Sequence, residues 1–531
     1  MPNKLRENLS LDKLFALIET KGPVAAAVKR YKLKRTHLKA AEREAGYQRC
    51  AKLMQSLENN PGLAAKLEDL FISLPELAFN QLLATEVFEV HELFELKSFL
   101  WMYLQLEELL TKHDLHSLHP LPNLHSAFKL LDPEGNKVPT FRISPLFSEQ
   151  LAKLISEQQN LAMQLQQTRA KDLEQARNEL GISTLKEEFV LSRQRQNTLS
   201  ELMKSKSFIL ISESLANCSF RLADSPKAME LKARLEQLAF LVGEEEGFIQ
   251  IDLTRQLKAQ FAAIEQAWFS CAELTWDYYM ASFALRYQCC IPRLTSSFAG
   301  ISIKQAVNLP LKLFLEQNQH QYQSLDIAFD TQANLITGPN MGGKSTALIT
   351  LGQLCYLAKL GIPLPAKEAT LCVYDEIYYN HDNRENSETL SSFGREVVSF
   401  TQMLQRSGTK LILLDEFAKG TNPAEGEAIC VATLKYLLHT EHTLVAATHF
   451  TAPTLLKGLA HYYIKGIAPE SFAALENSAE TDLETRLKLL SQAMDYTLMP
   501  SPGFSAPAKC AVAIARILGL PEAILNQLQG N

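Results

Sequence analysis

The residues best equipped for chemistry lie in the second half of the 531-residue chain. Gly338-Pro-Asn-Met-Gly-Gly-Lys-Ser345 fits the pattern G-x-x-x-x-G-K-[ST], directly after an apolar run and directly before a helical one. Glycines at this spacing let successive backbone N–H groups wrap around phosphate oxygens, and a helix N-terminus behind them adds positive potential. Lys344 is then placed for the β- and γ-phosphates and Ser345 for an oxygen ligand to Mg²⁺. Further on, Leu411-Ile-Leu-Leu-Asp-Glu416 ends an apolar strand in two acids. Asp415 suits a metal held through water, and Glu416 suits the orientation or deprotonation of an attacking water. Thr448-His449 follows the next apolar run, where a histidine can sense a terminal phosphate. ATP and Mg²⁺ are the cofactors this set implies.

Elements must hold these residues together. From about residue 301 strand-like and helical runs alternate: Leu335-Ile-Thr337, Lys410-Leu-Ile-Leu-Leu414 and Thr443-Leu-Val-Ala-Ala447 are buried-strand patterns between helical stretches. This is the texture of an α/β domain with a mostly parallel sheet. Upstream the chain is mainly helical. A long helix is expected from just after Pro145 to Gly181, with Leu151, Leu154, Ile155, Leu161 and Leu165 at three- and four-residue steps. A shorter helix is expected over about 226–242, and a helix matching the first over about Leu253–Cys289. Strand-like pieces lie between, at Phe189-Val-Leu-Ser, Phe208-Ile-Leu-Ile-Ser and Cys218-Ser-Phe-Arg-Leu. Two long antiparallel helices bearing a small mixed tip describe a lever arm; a helical bundle with an inserted hairpin is the plainer alternative. The expected division is 1–145 helical, 146–300 lever helices with a tip at about 188–252, and 301–531 nucleotide-binding.

Composition narrows the function. Hydrophobic residues make up 46% and charged residues 21%, which excludes a largely disordered chain. No run of 18 apolar residues suggests a membrane span, and the start, Met1-Pro-Asn-Lys-Leu-Arg, does not read as a secretory signal. Nine scattered cysteines without a CxxC pair fit a reducing, cytoplasmic setting. The net charge of −6 is unevenly spread. Residues 1–60 hold 13 Lys/Arg against 6 Asp/Glu, while the tip at 191–252 holds 8 against 9. A strongly basic nucleic-acid binder is therefore excluded, although a local basic face is not. The run Lys29, Arg30, Lys32, Lys34, Arg35, Lys39 reads first as a solvated helix face.

Thr337-Gly-Pro-Asn-Met-Gly-Gly-Lys-Ser-Thr346 resembles the phosphate loop of the MutS family of ATPases. Pro363-Leu-Pro-Ala366, Ser391-Ser-Phe-Gly-Arg-Glu396, Gly420-Thr-Asn-Pro-Ala-Glu-Gly426, Ala447-Thr-His-Phe450 and Gly503-Phe-Ser-Ala-Pro-Ala-Lys through Gly519-Leu-Pro521 resemble further family segments in the same order. Glu388-Thr-Leu-Ser-Ser-Phe393 is closer to the bacterial paralogue linked to recombination control than to the mismatch-repair protein. The resemblance implies an ABC-like α/β ATPase domain after a helical core and lever, and a homodimer with two composite ATP sites. Each would comprise Gly338, Pro339, Asn340, Met341, Gly342, Gly343, Lys344, Ser345 and Thr346, with Glu416 and His449 catalytic. Ser391 would reach the partner subunit's nucleotide, and His320 or Tyr322 would stack on the adenine.

The chain departs from the family pattern in places. Leu309-Pro310 stands where His-Pro is usual, and Phe147-Ser-Glu149 is a poor base wedge at a helix start. No mismatch-reading domain fits before the lever helices, and no nuclease-like domain is expected after Pro521. The resemblance implies duplex or branched DNA at the tip, in mismatch repair or recombination control, with Arg193, Arg195, Lys204 and Lys206 as phosphate contacts. The slightly acidic tip leaves a second reading open, a remodelling ATPase that grips a protein partner.

Overall fold

The computed structural model describes residues 2–339, 342–380, 391–468, 486, 489–490, 492–501, 511–525 and 527. The chain divides into two compact units. Residues 1–72, 113–119 and 272–531 form one, and residues 73–112 and 120–271 form the other.

The first unit is built on a six-stranded sheet. Its strands in chain order are β7 (Ala333–Thr337), β9 (Glu376–Tyr379), β10 (Lys410–Asp415), β11 (Thr443–Ala447), β12 (Ala460–Ile467) and β13 (Met494–Pro500), in the spatial order β13-β12-β7-β11-β10-β9. All neighbours are parallel except the edge pair β12–β13. The numbers not used here belong to the other two sheets. Every residue of β7 and β11 is buried, as are the first five of β10. A strand buried on both faces reads as a continuous apolar run, as these three do. Under them, Leu335, Ile412, Leu414, Leu434, Leu444 and Phe417 share one core.

The helix Lys344–Leu360 leaves the β7 loop and is buried along most of its length. The N-terminal helices belong to this same unit: Gln353 Nε2 donates to the Leu9 carbonyl at 2.8 Å, and Tyr47 Oη to that of Ile362 at 3.3 Å. A smaller sheet, β4 (Arg293–Thr295), β5 (Ile301–Ala306), β6 (Leu325–Phe329) and β8 (Glu368–Cys372), has the order β4-β8-β5-β6. Buried Asp277 accepts from Arg49 Nε at 2.5 Å and faces His119 Nε2 at 2.7 Å. Half of the basic run near residue 30 is engaged within the unit, while Arg30, Lys34 and Lys39 are exposed. Lys32 pairs with Glu273 at 2.6 Å, Arg35 with Glu42 at 2.5 Å, and Lys29 Nζ donates to the Ile18 carbonyl at 2.6 Å.

The second unit holds the long helices. Glu149–Leu180 starts at Ser148, whose hydroxyl caps Gln150 N and Leu151 N, and stops at Gly181 in the left-handed conformation. The helix beside it is not the one expected over Leu253–Cys289. It is Pro226–Lys258, of 33 residues, which swallows the shorter helix expected over 226–242. Contacts run in opposite directions along the pair: Ser148 with Glu245, Glu157 with Arg234, and Arg169 with Asp224. The pair is therefore antiparallel, as expected, but with an earlier second member. Gly243-Glu-Glu-Glu-Gly247 carries the signature of an interruption, yet neither glycine has a positive φ and the helix runs through both. The break falls at Ala259–Gln260 instead, unmarked by glycine or proline, before the helix Phe261–Arg286. That last helix contributes its first part to this unit and its remainder to the other.

At the far end of the pair sits a three-stranded antiparallel sheet, β1 (Glu188–Ser192), β2 (Phe208–Glu213) and β3 (Asn217–Leu222), with β3 central and the helix Gln196–Lys204 beside it. All three expected strands are present. Phe208, Cys218, Phe220 and Leu222 bury one face against Ala176 and Leu202. The remainder of the unit is a helical core around Val90–Lys112, where Lys97 and Asp132 form a buried pair at 3.0 Å.

An added methyl at Gly243 or Gly247 would meet nothing within 4 Å. Gly→Ala at either position should stabilise the helix locally by about 0.5–1 kcal/mol, since glycine loses more conformational freedom on folding. Slower amide hydrogen exchange along Phe240–Ile251 is the expected measurement, and faster exchange would mean that the glycines are needed there.

Candidate functional site

Parallel register brings the chemistry together. Ala447 pairs with Asp415 on one side and with Ile336 on the other, so β7, β10 and β11 end at the same edge. The segments that follow each strand, starting at Gly338, Glu416 and Thr448, therefore emerge side by side. Ser345, Asp415, Glu416 and Lys419 line one pocket of about 310 Å³, together with Asn380, Ser392, Phe393, Glu396 and Gly420.

Lys344 is buried, and its ammonium donates to the carbonyls of Gly338 and Pro339 at 3.0 and 2.9 Å. Burial lowers its pKa, while Glu416 and Asp415 act in the opposite direction. Gly343 precedes the helix with φ +85°, and an added Cβ would lie 2.9 Å from the ring of Tyr496 on β13. Glycine is required on both counts. Asn340 and Met341 lie outside the described residues, as do Glu388 and the segment Gly503–Lys509. Thr346 lies in the first turn of the helix.

Asp415 is oriented on three sides. Its Oδ2 accepts from Tyr379 Oη at 3.0 Å, its N–H donates to Asn380 Oδ1 at 2.5 Å, and its carbonyl accepts from Asn380 Nδ2 at 3.2 Å. The other carboxylate oxygen, Oδ1, is buried without a protein partner. A buried carboxylate oxygen left so fits a metal-bound water. Among the described residues no group of three or more His, Cys, Asp or Glu could cage a metal. Mg²⁺ in such a site relies on few protein ligands and on phosphate oxygens, so Ser345 and Asp415 suit a nucleotide-borne ion.

Glu416 and His449 meet: Oε1 lies 2.8 Å from His449 Nε2, and Lys419 binds the other oxygen. The nearby His449 imidazole, with the hydrogen bond from Lys419, holds the Glu416 carboxyl down at about 2. Glu416 and Ala418 have φ of 53° and 66°, left-handed values that non-glycine residues seldom adopt. Backbone strain of this kind collects at functional sites.

The remaining expected residues are more scattered. Ser391 is exposed and its hydroxyl caps the helix Ser392–Leu404, accepting from Gly394 N at 3.1 Å. Tyr322 Oη accepts from Asn308 N at 2.7 Å, and burial pushes its phenol pKa up. His320 is half-buried in the turn after the helix Leu309–Gln317. The ring of Tyr496 lies against Gly343. In the second unit Arg193 is ion-paired with Glu213, while Arg195, Lys204 and Lys206 are exposed. Sequence reasoning missed Tyr379, Asn380, Lys419 and Tyr496 and gave no role to Glu396. Only the first two carried a signal, as polar atoms at the end of the apolar run Ile377-Tyr-Tyr-Asn380.

Because the Glu416 carboxyl is depressed from about 4.3 to about 2, its ionised form favours the folded state. That contribution is complete above about pH 4.3 and is lost as pH falls through about 2. His449→Ala should raise the Glu416 titration midpoint and make acid destabilisation shallower between about pH 5 and 2. Carboxyl NMR and urea unfolding at stepped pH measure the two effects.

Residues 334–529 match the family model described as MutS domain V. The chain is 26% identical over 308 residues to the Endonuclease MutS2 of Brevibacillus brevis, covering 57% of this chain and 36% of that relative. It is 32% identical over 216 residues to the Endonuclease MutS2 of Bacillus velezensis, covering 40% and 25%. To that of Shouchella clausii it is 34% identical over 208 residues, covering 38% and 24%. The matched stretch thus spans about a quarter to a third of the length of these relatives. Among the described residues no helix is long and apolar enough to cross a membrane. The domain V match and the MutS2 relatives thus make the second half of the chain similar to MutS proteins.

Proposed function

We propose that the chain is a MutS-type, Mg²⁺-dependent ATPase that works as a homodimeric clamp, with ATP-driven closure passed through its long helices to DNA at the tip. The observation that carries this reading is the convergence of Ser345, Asp415 and Glu416 on one pocket, with Lys344 opening the helix that carries Ser345. The backbone of Gly338–Thr346 binds the phosphates, and Lys344 exchanges its two loop carbonyls for phosphate oxygens. Ser345 and Asp415 hold Mg²⁺, which neutralises phosphate charge. Glu416 orients the attacking water, and His449, already on its carboxylate, reports the terminal phosphate. Ser391 completes the partner subunit's site, so that nucleotide acts as a switch of the dimer's shape. In this reading residues 1–145 are a helical core, 146–300 the lever and tip, and 301–531 the ATPase. DNA repair or recombination control is the setting that the family relationship suggests.

One observation favours a protein partner as the second reading. Val190, Ile209 and Ile211 are exposed on the outer face of the tip sheet, and Leu215, in its β2–β3 turn, is fully exposed. With Arg193 neutralised by Glu213, the tip offers fewer phosphate contacts than the sequence promised.

Lys344→Ala should abolish nucleotide binding, measured with a fluorescent ATP analogue. Glu416→Ala should keep ATP binding and lose turnover by at least about a hundredfold; normal turnover would refute its role as base. Duplex or branched DNA should stimulate hydrolysis at about 50 mM salt, and the effect should weaken steeply as salt rises. If none of these DNAs binds, the reading passes to a protein partner, whose ATP-dependent stoichiometric capture is then expected.

A further inference from the structure

The carboxylate of Glu396, on the helix Ser392–Leu404, bridges two parts of the pocket. Oε1 accepts from Asn380 Nδ2 at 2.5 Å, and Oε2 accepts from the backbone N–H of Ala418 at 3.0 Å. Asn380 in turn fixes both the N–H and the carbonyl of Asp415. Ala418 is one of the two left-handed residues in the turn that carries Glu416. One side chain thus links the backbone around both acids to a single helix.

Packing reinforces the link. A Cβ on Gly420 would lie 3.0 Å from Ser392 Oγ and 3.4 Å from Phe393 N, so the turn rests on the first residues of that helix. Phe400 on the helix and Phe417 in the turn meet at 5.2 Å between ring centroids. A Cβ on Gly426 would lie 2.5 Å from the Ala418 carbonyl, which closes the opposite side. Held this way, the turn follows any displacement of the helix. The helix is capped by Ser391, an exposed residue.

We propose that Glu396 is a positioning residue that couples the helix Ser392–Leu404, and whatever engages its N-terminus at Ser391, to the setting of Glu416 and Asp415; this rests on the ATPase reading. Asn380 makes the requirement strict. Its Oδ1 already holds Asp415 N, so it cannot turn to suit a different residue at 396. A glutamine there keeps one acceptor and turns an N–H₂ toward a donor.

The test is a double-mutant cycle on the full chain with Ser391→Ala and Glu396→Ala, alongside Glu396→Gln. Glu396→Ala should lower kcat at least about tenfold, as expected for lost charge-assisted hydrogen bonds, with the ATP dissociation constant within about threefold. The double variant should be no slower than the slower single variant, because both changes cut one connection. Multiplying effects would overturn the coupling. Glu396→Gln should resemble Glu396→Ala; full recovery by glutamine would reduce Glu396 to a filler of space. Amide hydrogen exchange supplies a readout that needs no turnover. In either Glu396 variant the amides of Ala418–Gly420 should exchange faster, and unchanged exchange would overturn the link even if the chain hydrolyses nothing. Conversely, absent hydrolysis in the unmodified chain with faster exchange in the variants would sink the ATPase reading and leave the link standing.

Discussion

Parallel pairing of three buried strands is the constraint on which the rest of the site depends. With Ile336, Ala447 and Asp415 in register, the glycine-rich loop, the acidic pair and the histidine segment leave the sheet at one level. The distances in the pocket follow from that level and not from any attraction among the polar groups. Burial of β7, β10 and β11 on both faces is what fixes the register. A slip along any of them would carry one segment away from the others. The apolar core is in this sense the jig in which the polar site is assembled.

Around that jig the structure adds a layer of orientation. Tyr379 comes from the edge strand β9 and Asn380 just follows it, Glu396 comes from the helix Ser392–Leu404, and Lys419 from the turn that carries Glu416. Each satisfies a polar group that the pocket would otherwise leave unpaired, and the unpaired alternative inside a protein is costly. Among the described residues Asp415 Oδ1 is left buried without a protein partner.

Much of this was legible in sequence where a residue's role is local. The glycines, Lys344 and Ser345 announce themselves by spacing, and Asp415-Glu416 by ending an apolar run. Thr448-His449 is legible for the same reason. What sequence could not convey is adjacency between distant segments. Nothing in the string ties Leu9 to Gln353, Glu396 to Ala418, or Tyr496 to Gly343. The mistaken boundary of the second long helix has a different origin. Glycine is a weak helix breaker whose cost of about 1 kcal/mol is overridden by neighbouring turns, and so the helix runs unbroken through Gly243 and Gly247. The basic run near residue 30 is divided: Arg30, Lys34 and Lys39 are exposed as a solvated face would be, while Lys32, Arg35 and Lys29 meet Glu273, Glu42 and a backbone carbonyl.

The helix Glu149–Leu180 buries only Leu151 and Ala176 among its 32 residues. Packing therefore places few demands on which side chains occupy it, while its length and unbroken backbone ladder set how far apart its two ends stand. It behaves as a ruler written in hydrogen bonds, its reach set by the number of its turns rather than by a buried core.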